Sequence, residues 1–165
     1  MIKAILACEE SGGIGKNGKL PWPHIPRDMK WFVEQTFGHV MVMGRRTWDD
    51  PQLSHPMPNR LSYVVTSRPE SCPEAHGWLS GDLSDSIVQL QDIHQDKIIW
   101  IIGGMNLIEQ SLEIIDQFVL SRIKGRYDCD RFLPMAELNQ WEIIWEEKHP
   151  EVIFQVLGNP RRVTL

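Results

Sequence analysis

Glycines, a lone first-turn acid and several arginines are the residues of this 165-residue chain whose spacing suggests chemistry. Gly13-Ile14-Gly15-Lys16-Asn17-Gly18 satisfies G-x-G-x-x-G, the pattern that carries a dinucleotide's pyrophosphate to a helix N-terminus. Here the required helix is blocked, because Pro21, Pro23 and Pro26 keep residues 20–25 extended or turned. The same run nearly spells a phosphate-binding P-loop, but Leu20 replaces the hydroxyl that would hold magnesium, which disfavours a phosphotransferase. A glycine-rich surface turn is the commoner meaning of such spacing. Its apolar end, Leu20-Pro21-Trp22, is out of place in a solvated turn and reads as a lid.

Two other junctions share a strand-glycine-helix design, Gly44-Arg45-Arg46-Thr47 and Gly103-Gly104-Met105. Glycine lets a phosphate approach the backbone, and the first helical amides then donate to it. Arg45 and Arg46 add fixed charge, and Thr66-Ser67-Arg68 adds hydroxyls and a further guanidinium after the next strand. Any one arginine alone is a solvated charge. Grouped at neighbouring strand ends of an acidic chain, they suit a ligand with several negative charges, such as a 2′-phosphorylated dinucleotide. Asp28 stands in the first turn of a helix opened by Pro26, where an acid more often complements the dipole or caps than catalyses. Its place on the edge of a stripe formed by Met29, Phe32, Val33 and Thr36 favours burial, which raises a carboxyl pKa.

The elements that must position these groups are short β-branched runs at residues 2–8, 40–43, 61–66, 77–80, 97–102, 117–123, 141–148 and 152–157. Helices are predicted from Pro26 to a stop at Gly38, and at residues 45–48, 84–92 and 104–112. The early alternation of strand and helix requires parallel crossovers, and the last two strands are close enough for an antiparallel hairpin. Ligands of such a sheet bind outside the carboxyl ends of its strands, where the motifs above lie.

Composition narrows the alternatives. A 42% hydrophobic chain of this length suits one compact domain, 1–165. A formal charge of −5 opposes nucleic-acid binding. Cys8, Cys72 and Cys129 are odd in number and lack metal-ligand spacing, so neither a disulfide framework nor a metal site is expected and a reducing cytoplasm is. The apolar N-terminal run breaks at Glu9 and Glu10, too early for a signal peptide or a membrane span.

Taken together, Ile14-Gly15, Leu20-Pro21-Trp22, Asp28, Phe32, the Met43–Trp48 run and Ile102-Gly103-Gly104 resemble dihydrofolate reductase of the chromosomal type, in order and spacing over nearly the whole chain. The resemblance implies an α/β domain with an eight-stranded, mostly parallel sheet, a C-terminal antiparallel hairpin and about four flanking helices. It implies NADPH as cofactor, dihydrofolate as substrate and antifolates such as methotrexate or trimethoprim as ligands, in a cytoplasmic monomer. Asp28 then holds the pterin ring, with Leu20 and Trp22 beside the reaction and Ser121 where the family usually has a threonine bonded to the acid. Ile5, Ala7, Met29, Phe32 and Ile102 would line the substrate, and Arg60 would clamp its glutamate α-carboxylate. Ala7, Ile14, Gly15, Gly18, Gly44, Arg45, Arg46, Thr47, Thr66, Ser67, Arg68, Gly103, Gly104, Met105, Asn106 and Leu107 would meet the cofactor, and Gly103–Gly104 would be joined by a cis peptide.

The chain also departs from the pattern. One extra residue lies between Trp22 and Asp28, and Pro23 and Pro26 stiffen that stretch, so the lid is expected to hold few alternative conformations. Ile108 replaces a tyrosine of many relatives, Asn106 an arginine of some, and residues 49–55 are lengthened. The competing readings are another NADPH-dependent pterin or pyrimidine reductase of this fold, a P-loop phosphotransferase, and a catalytically silent member.

Overall fold

A computed structural model describes residues 1–54 and 56–162. Along the chain come β1 (Ile2–Glu9), β2 (Gly13–Gly15), α1 (Pro26–Thr36), β3 (Val40–Gly44), α2 (Arg45–Trp48), β4 (Leu61–Val65) and β5 (Gly77–Leu79). There follow α3 (Leu83–Ile93), β6 (Ile99–Ile101), α4 (Met105–Ser111), β7 (Gln117–Ile123), β8 (Arg131–Phe132), α5 (Met135–Leu138), β9 (Glu142–Lys148) and β10 (Val152–Gly158). Eight strands form one sheet in the order β5-β4-β3-β6-β1-β7-β10-β9. Every pairing from β5 across to β7 is parallel, and β10 is antiparallel to both neighbours, as the short final connection requires. The pair β2-β8 and the short α5 are additions to the predicted set, too brief to carry a periodic signal.

Local chemistry explains the helix ends near the site. Proline at the first turn opens α1, and the chain leaves it through Phe37 and Gly38, whose φ of 78° is left-handed. Val33 departs from the predicted stripe: the residue is 37% exposed, and its carbonyl serves Arg60. The predicted strand at 97–102 is regular only over β6. The Ile98 N–H turns to the His39 ring at 2.9 Å, while the Ile102 N–H still reaches the Val42 carbonyl at 3.0 Å.

Alternation along the central strands builds two apolar layers. Ile2, Ala4, Val40, Val42, Ile99 and Ile101 face Ile87, Leu90, Leu107 and Ile108 on α3 and α4. Ile5, Met41, Met43, Trp100, Ile102 and Val119 face the other way, toward Trp31 and Phe32 of α1. Each such side chain removed from water contributes roughly 1.5–3 kcal/mol, so both layers hold the strand ends firmly. Cys8, Cys72 and Cys129 are free thiols. Among the described residues no helix is long and apolar enough to cross a membrane.

Candidate active site

The parallel register of β1 and β7 sets Ala7 opposite Ser121 and Ile5 opposite Val119. Ser121 is 2% exposed, and its hydroxyl is hydrogen-bonded to the Asp28 carboxylate, which α1 brings over these strands. Burial pushes the Asp28 carboxyl above its ordinary range, while the Ser121 bond and the nearby His24 pull in the opposite direction. Apolar walls surround the acid. Ile5 and Ile102 belong to the layer against which Phe32 packs, and Ala7 packs with Trp22 and Trp31 around Ile123, Val152 and Phe154. Met29, next to Asp28, is half-buried. Trp31 is stacked on Phe154 at 4.6 Å and on Trp145 at 5.4 Å, which fixes the back of the helix.

Arg60 lies at the far end of α1, only 7% exposed. Its Nε donates to Thr36 Oγ1 at 2.8 Å, Nη1 to the Pro58 carbonyl at 2.6 Å and Nη2 to the Val33 carbonyl at 2.8 Å. These bonds fix the plane of the guanidinium and use three of its five N–H groups, leaving the rest for a carboxylate.

The glycine-rich loop forms no helix. Lys16 and Lys19 exchange backbone bonds at 2.9 and 3.0 Å around Asn17 (φ 50°) and Gly18 (φ 75°), the signature of a tight hairpin turn. The dinucleotide-fingerprint and P-loop readings therefore lose the element on which both depend. Leu20 is 50% exposed, whereas Trp22 is buried with its ring edge-on to Tyr127. The loop is tied down: the Asn17 N–H reaches Asp130 at 2.9 Å, the Asp130 N–H reaches the Gly15 carbonyl at 2.8 Å, and Lys16 pairs with Asp128 at 3.0 Å.

At the root of this loop sits Glu9, fully buried. Its Oε1 accepts from the Gly13 amide at 2.9 Å, the Ser11 amide at 2.7 Å and the Ser11 hydroxyl, and Oε2 accepts from the Tyr127 amide at 3.0 Å. Burial alone would raise this carboxyl, but the bonds from Ser11, Tyr127 and Gly13 outweigh it and the net shift is downward. Sequence reasoning missed Glu9, Tyr127 and Asp130. The one available signal was an acid at the end of an apolar strand, and its partner Tyr127 is 118 residues away.

The two glycine junctions meet, because β3 and β6 are neighbours. Gly44 N donates to the Gly103 carbonyl at 2.8 Å, and a Cβ on Gly44 would come within 3.5 Å of Gly104 N. A cis peptide joins Gly103 to Gly104. Neither α2 nor α4 has a side-chain cap at its start, and the space above Gly104 is open. Arg45 is engaged by Asp49 at 3.0 Å and by the Ser71 hydroxyl, while Arg46, Ser67 and Arg68 are exposed and Thr47 is half-buried. Thr66 Oγ1 accepts from the Arg68 amide at 3.0 Å, so part of its capacity is spent locally. Met105 and Leu107 bury their side chains in the α3–α4 layer, Ile14 packs on the same layer, and Asn106 is exposed. Ile108 is also core. Of the stretch 49–55, expected to be lengthened, residue 55 lies outside the described residues.

A family model described as dihydrofolate reductase matches residues 1–154. The dihydrofolate reductase of Bacillus subtilis (strain 168) is 32% identical over 149 residues, covering 90% of this chain and 84% of the relative. That of Haemophilus influenzae is 32% identical over 143 residues, 87% of this chain and 84% of the relative. Among solved structures, dihydrofolate reductase from Enterococcus faecalis complexed with NADP(H) and RAB-propyl superposes with a TM-score of 0.78. It is 26% identical and covers 97% of this chain and 96% of that one.

Proposed function

Because the chain belongs to the dihydrofolate reductase family, we propose that Asp28 is the acid that holds the pterin ring during reduction. The reaction is the reduction of 7,8-dihydrofolate to tetrahydrofolate with NADPH, which feeds one-carbon metabolism and thymidylate synthesis. The observation that carries the Asp28 assignment is its setting: a carboxylate between apolar walls, bonded by Ser121, with its pKa raised chiefly by burial. A carboxylate accepts both donors of the pterin's amidine-like edge at once. The raised pKa makes its charge responsive to a ring arriving in the pocket.

The residues at the strand ends fit the cofactor. The uncapped starts of α2 and α4, the open space over Gly104 and the exposed Arg46 and Arg68 supply backbone and guanidinium donors for phosphates. Gly15, Gly18, Gly44, Thr47, Thr66, Ser67, Gly103 and Asn106 complete that lining, with Arg45, Met105 and Leu107 contributing through backbone. The hydride comes from NADPH when it is bound. The chain's own work is alignment and exclusion of water: Ile5, Ala7, Phe32 and Ile102 wall the ring, Trp22 anchors the lid, and the half-exposed Leu20 lies at the lid's end beside the reaction. Arg60, already braced, receives the glutamate α-carboxylate.

Loss of NADPH absorbance on adding dihydrofolate tests the reading. A silent member would give none, and a reductase for another pterin or pyrimidine would prefer that substrate. NADH should serve at least about tenfold less well; equal efficiency removes Arg46 and Arg68 from recognition of the extra phosphate. Antifolates such as methotrexate would compete at Asp28. The reading extends to a single-domain monomer in the cytoplasm, with three free thiols consistent with reducing surroundings; a dimer in sedimentation equilibrium would overturn the monomer.

A further inference from the structure

The first turn of α1 begins without a side-chain cap, because Ile25 precedes it and offers no oxygen to the unpaired amides. Such a turn frays unless something outside the helix holds it, and this one carries Asp28. The terminal hairpin supplies the hold. Arg27 Nε donates to Glu151 Oε1 at 2.5 Å, and that bond keeps the Glu151 carboxyl below the usual carboxylate range. Glu151 sits at the hairpin tip between β9 and β10. There the Lys124 N–H reaches its carbonyl at 3.1 Å and the His149 N–H reaches the Val152 carbonyl at 2.9 Å, so its backbone is fixed. One helical turn after Arg27, Trp31 lies stacked on Phe154 of β10 and Trp145 of β9, with interplanar angles of 17° and 5°. The antiparallel register sets Phe154 directly opposite Ser121, the residue bonded to Asp28. The helix is thus attached to one stretch of sheet at three points, and in sequence Asp28 lies between the two that belong to the hairpin.

We propose that Glu151 is a positioning residue for the reduction: by holding Arg27 it fixes the first turn of α1 where the Asp28 carboxylate meets the pterin ring. The proposal rests on the assignment of Asp28 to that ring. Both side chains of the ion pair are substantially exposed, so the pair adds little to overall stability. Its effect is on geometry, because a shift of about 1 Å at a reacting group costs far more in rate than in folding. The stacks on Trp31 fix the helix one turn further on, which leaves movement of the uncapped first turn as the freedom that the ion pair removes.

The experiment measures the single-turnover rate of hydride transfer from NADPH to dihydrofolate at neutral pH in wild type, Glu151→Gln, Arg27→Gln and the double variant. Glu151→Gln is then repeated in an Asp28→Asn background. Each single variant should lose about fivefold in rate, with NADPH affinity and melting temperature held. The double variant should lose no more than either single one, because the same contact is removed in all three. Arg27→Lys, which keeps the charge, should recover most of the rate. With Asp28 already replaced, Glu151→Gln should cost nothing further, a result that a general loosening of the fold would not give. The proposal is overturned by wild-type rates in Glu151→Gln, by additive losses in the double variant, by an Arg27→Lys rate as low as that of Arg27→Gln, or by equal losses with and without Asp28. The underlying assignment fails separately, since a wild-type rate in Asp28→Asn alone removes Asp28 whatever Glu151 does.

Discussion

Two carboxylates flank the carboxyl end of β1 and have opposite fates. Glu9 is fully buried, yet it is surrounded by donors from Ser11, Gly13 and Tyr127, and its pKa is lowered. Asp28 is only half-buried, has Ser121 as its hydrogen-bond donor, and its pKa is raised. The difference shows that burial does not by itself make an acid reactive. A carboxylate whose lone pairs are filled by amides is a fastener, whereas one left short of donors keeps capacity for a ligand.

The largest effect expected from that contrast is kinetic. Asp28→Asn should slow hydride transfer at neutral pH by at least about a hundredfold while NADPH affinity holds; single-turnover rates near wild type would remove Asp28 from the chemistry. Glu9→Gln should instead act on the fold, costing about 2–3 kcal/mol because a fully buried charged acceptor of several N–H groups is replaced. Denaturant titration measures this, and a variant as stable as wild type would show the clasp to be idle. Relaxation dispersion at residues 14–25 sharpens the same point: the wild-type lid should show little exchange, and Glu9→Gln should introduce it.

Their pH dependences should have opposite signs. Asp28, raised on folding, contributes stability below the ordinary carboxylate range that is lost as pH climbs through its folded value. The melting temperature of Asp28→Asn relative to wild type should therefore improve from acid to neutral pH. Glu9, lowered on folding, contributes stability above that range that is lost as pH falls through its folded value, so the Glu9→Gln deficit should shrink toward acid. Parallel trends would contradict the assignment of one acid to structure and the other to ligand. The smallest effect is at Ser121: losing its hydroxyl in Ser121→Ala should shift the activity profile toward higher pH by less than about one unit, and an unmoved profile would uncouple the pair.

Much of this arrangement is readable from the chain. The β-branched runs locate all eight strands of the main sheet, Pro26 and Gly38 bracket α1, and the apolar edge carrying Asp28 foretells a shielded acid. Trp22 was recognisable as anchored because it is too apolar for a solvated turn, and the structure buries it, whereas Leu20 is left half-exposed. What escaped depends on contacts between distant segments: Glu9 with Tyr127, Gly15 and Asn17 with Asp130, and the β2-β8 pair. Val33 misled because helical spacing defines a stripe only to within one residue at its edge, and the helix turned that edge outward. The charges at the start of α1 were likewise invisible as a pair, since Arg27 and Glu151 meet only when the terminal hairpin packs beside α1.

The outer strand β9 has every residue exposed, including Ile143, Ile144 and Trp145. An edge so apolar invites annealing of one molecule's rim onto another's. Glu142, Glu146, Glu147 and Lys148 bracket the greasy triplet, and the opposite rim, β5, spans only three residues. Charge at one margin and brevity at the other discourage fibrous growth, so this enzyme should stay dispersed at concentrations where a bare margin would clump.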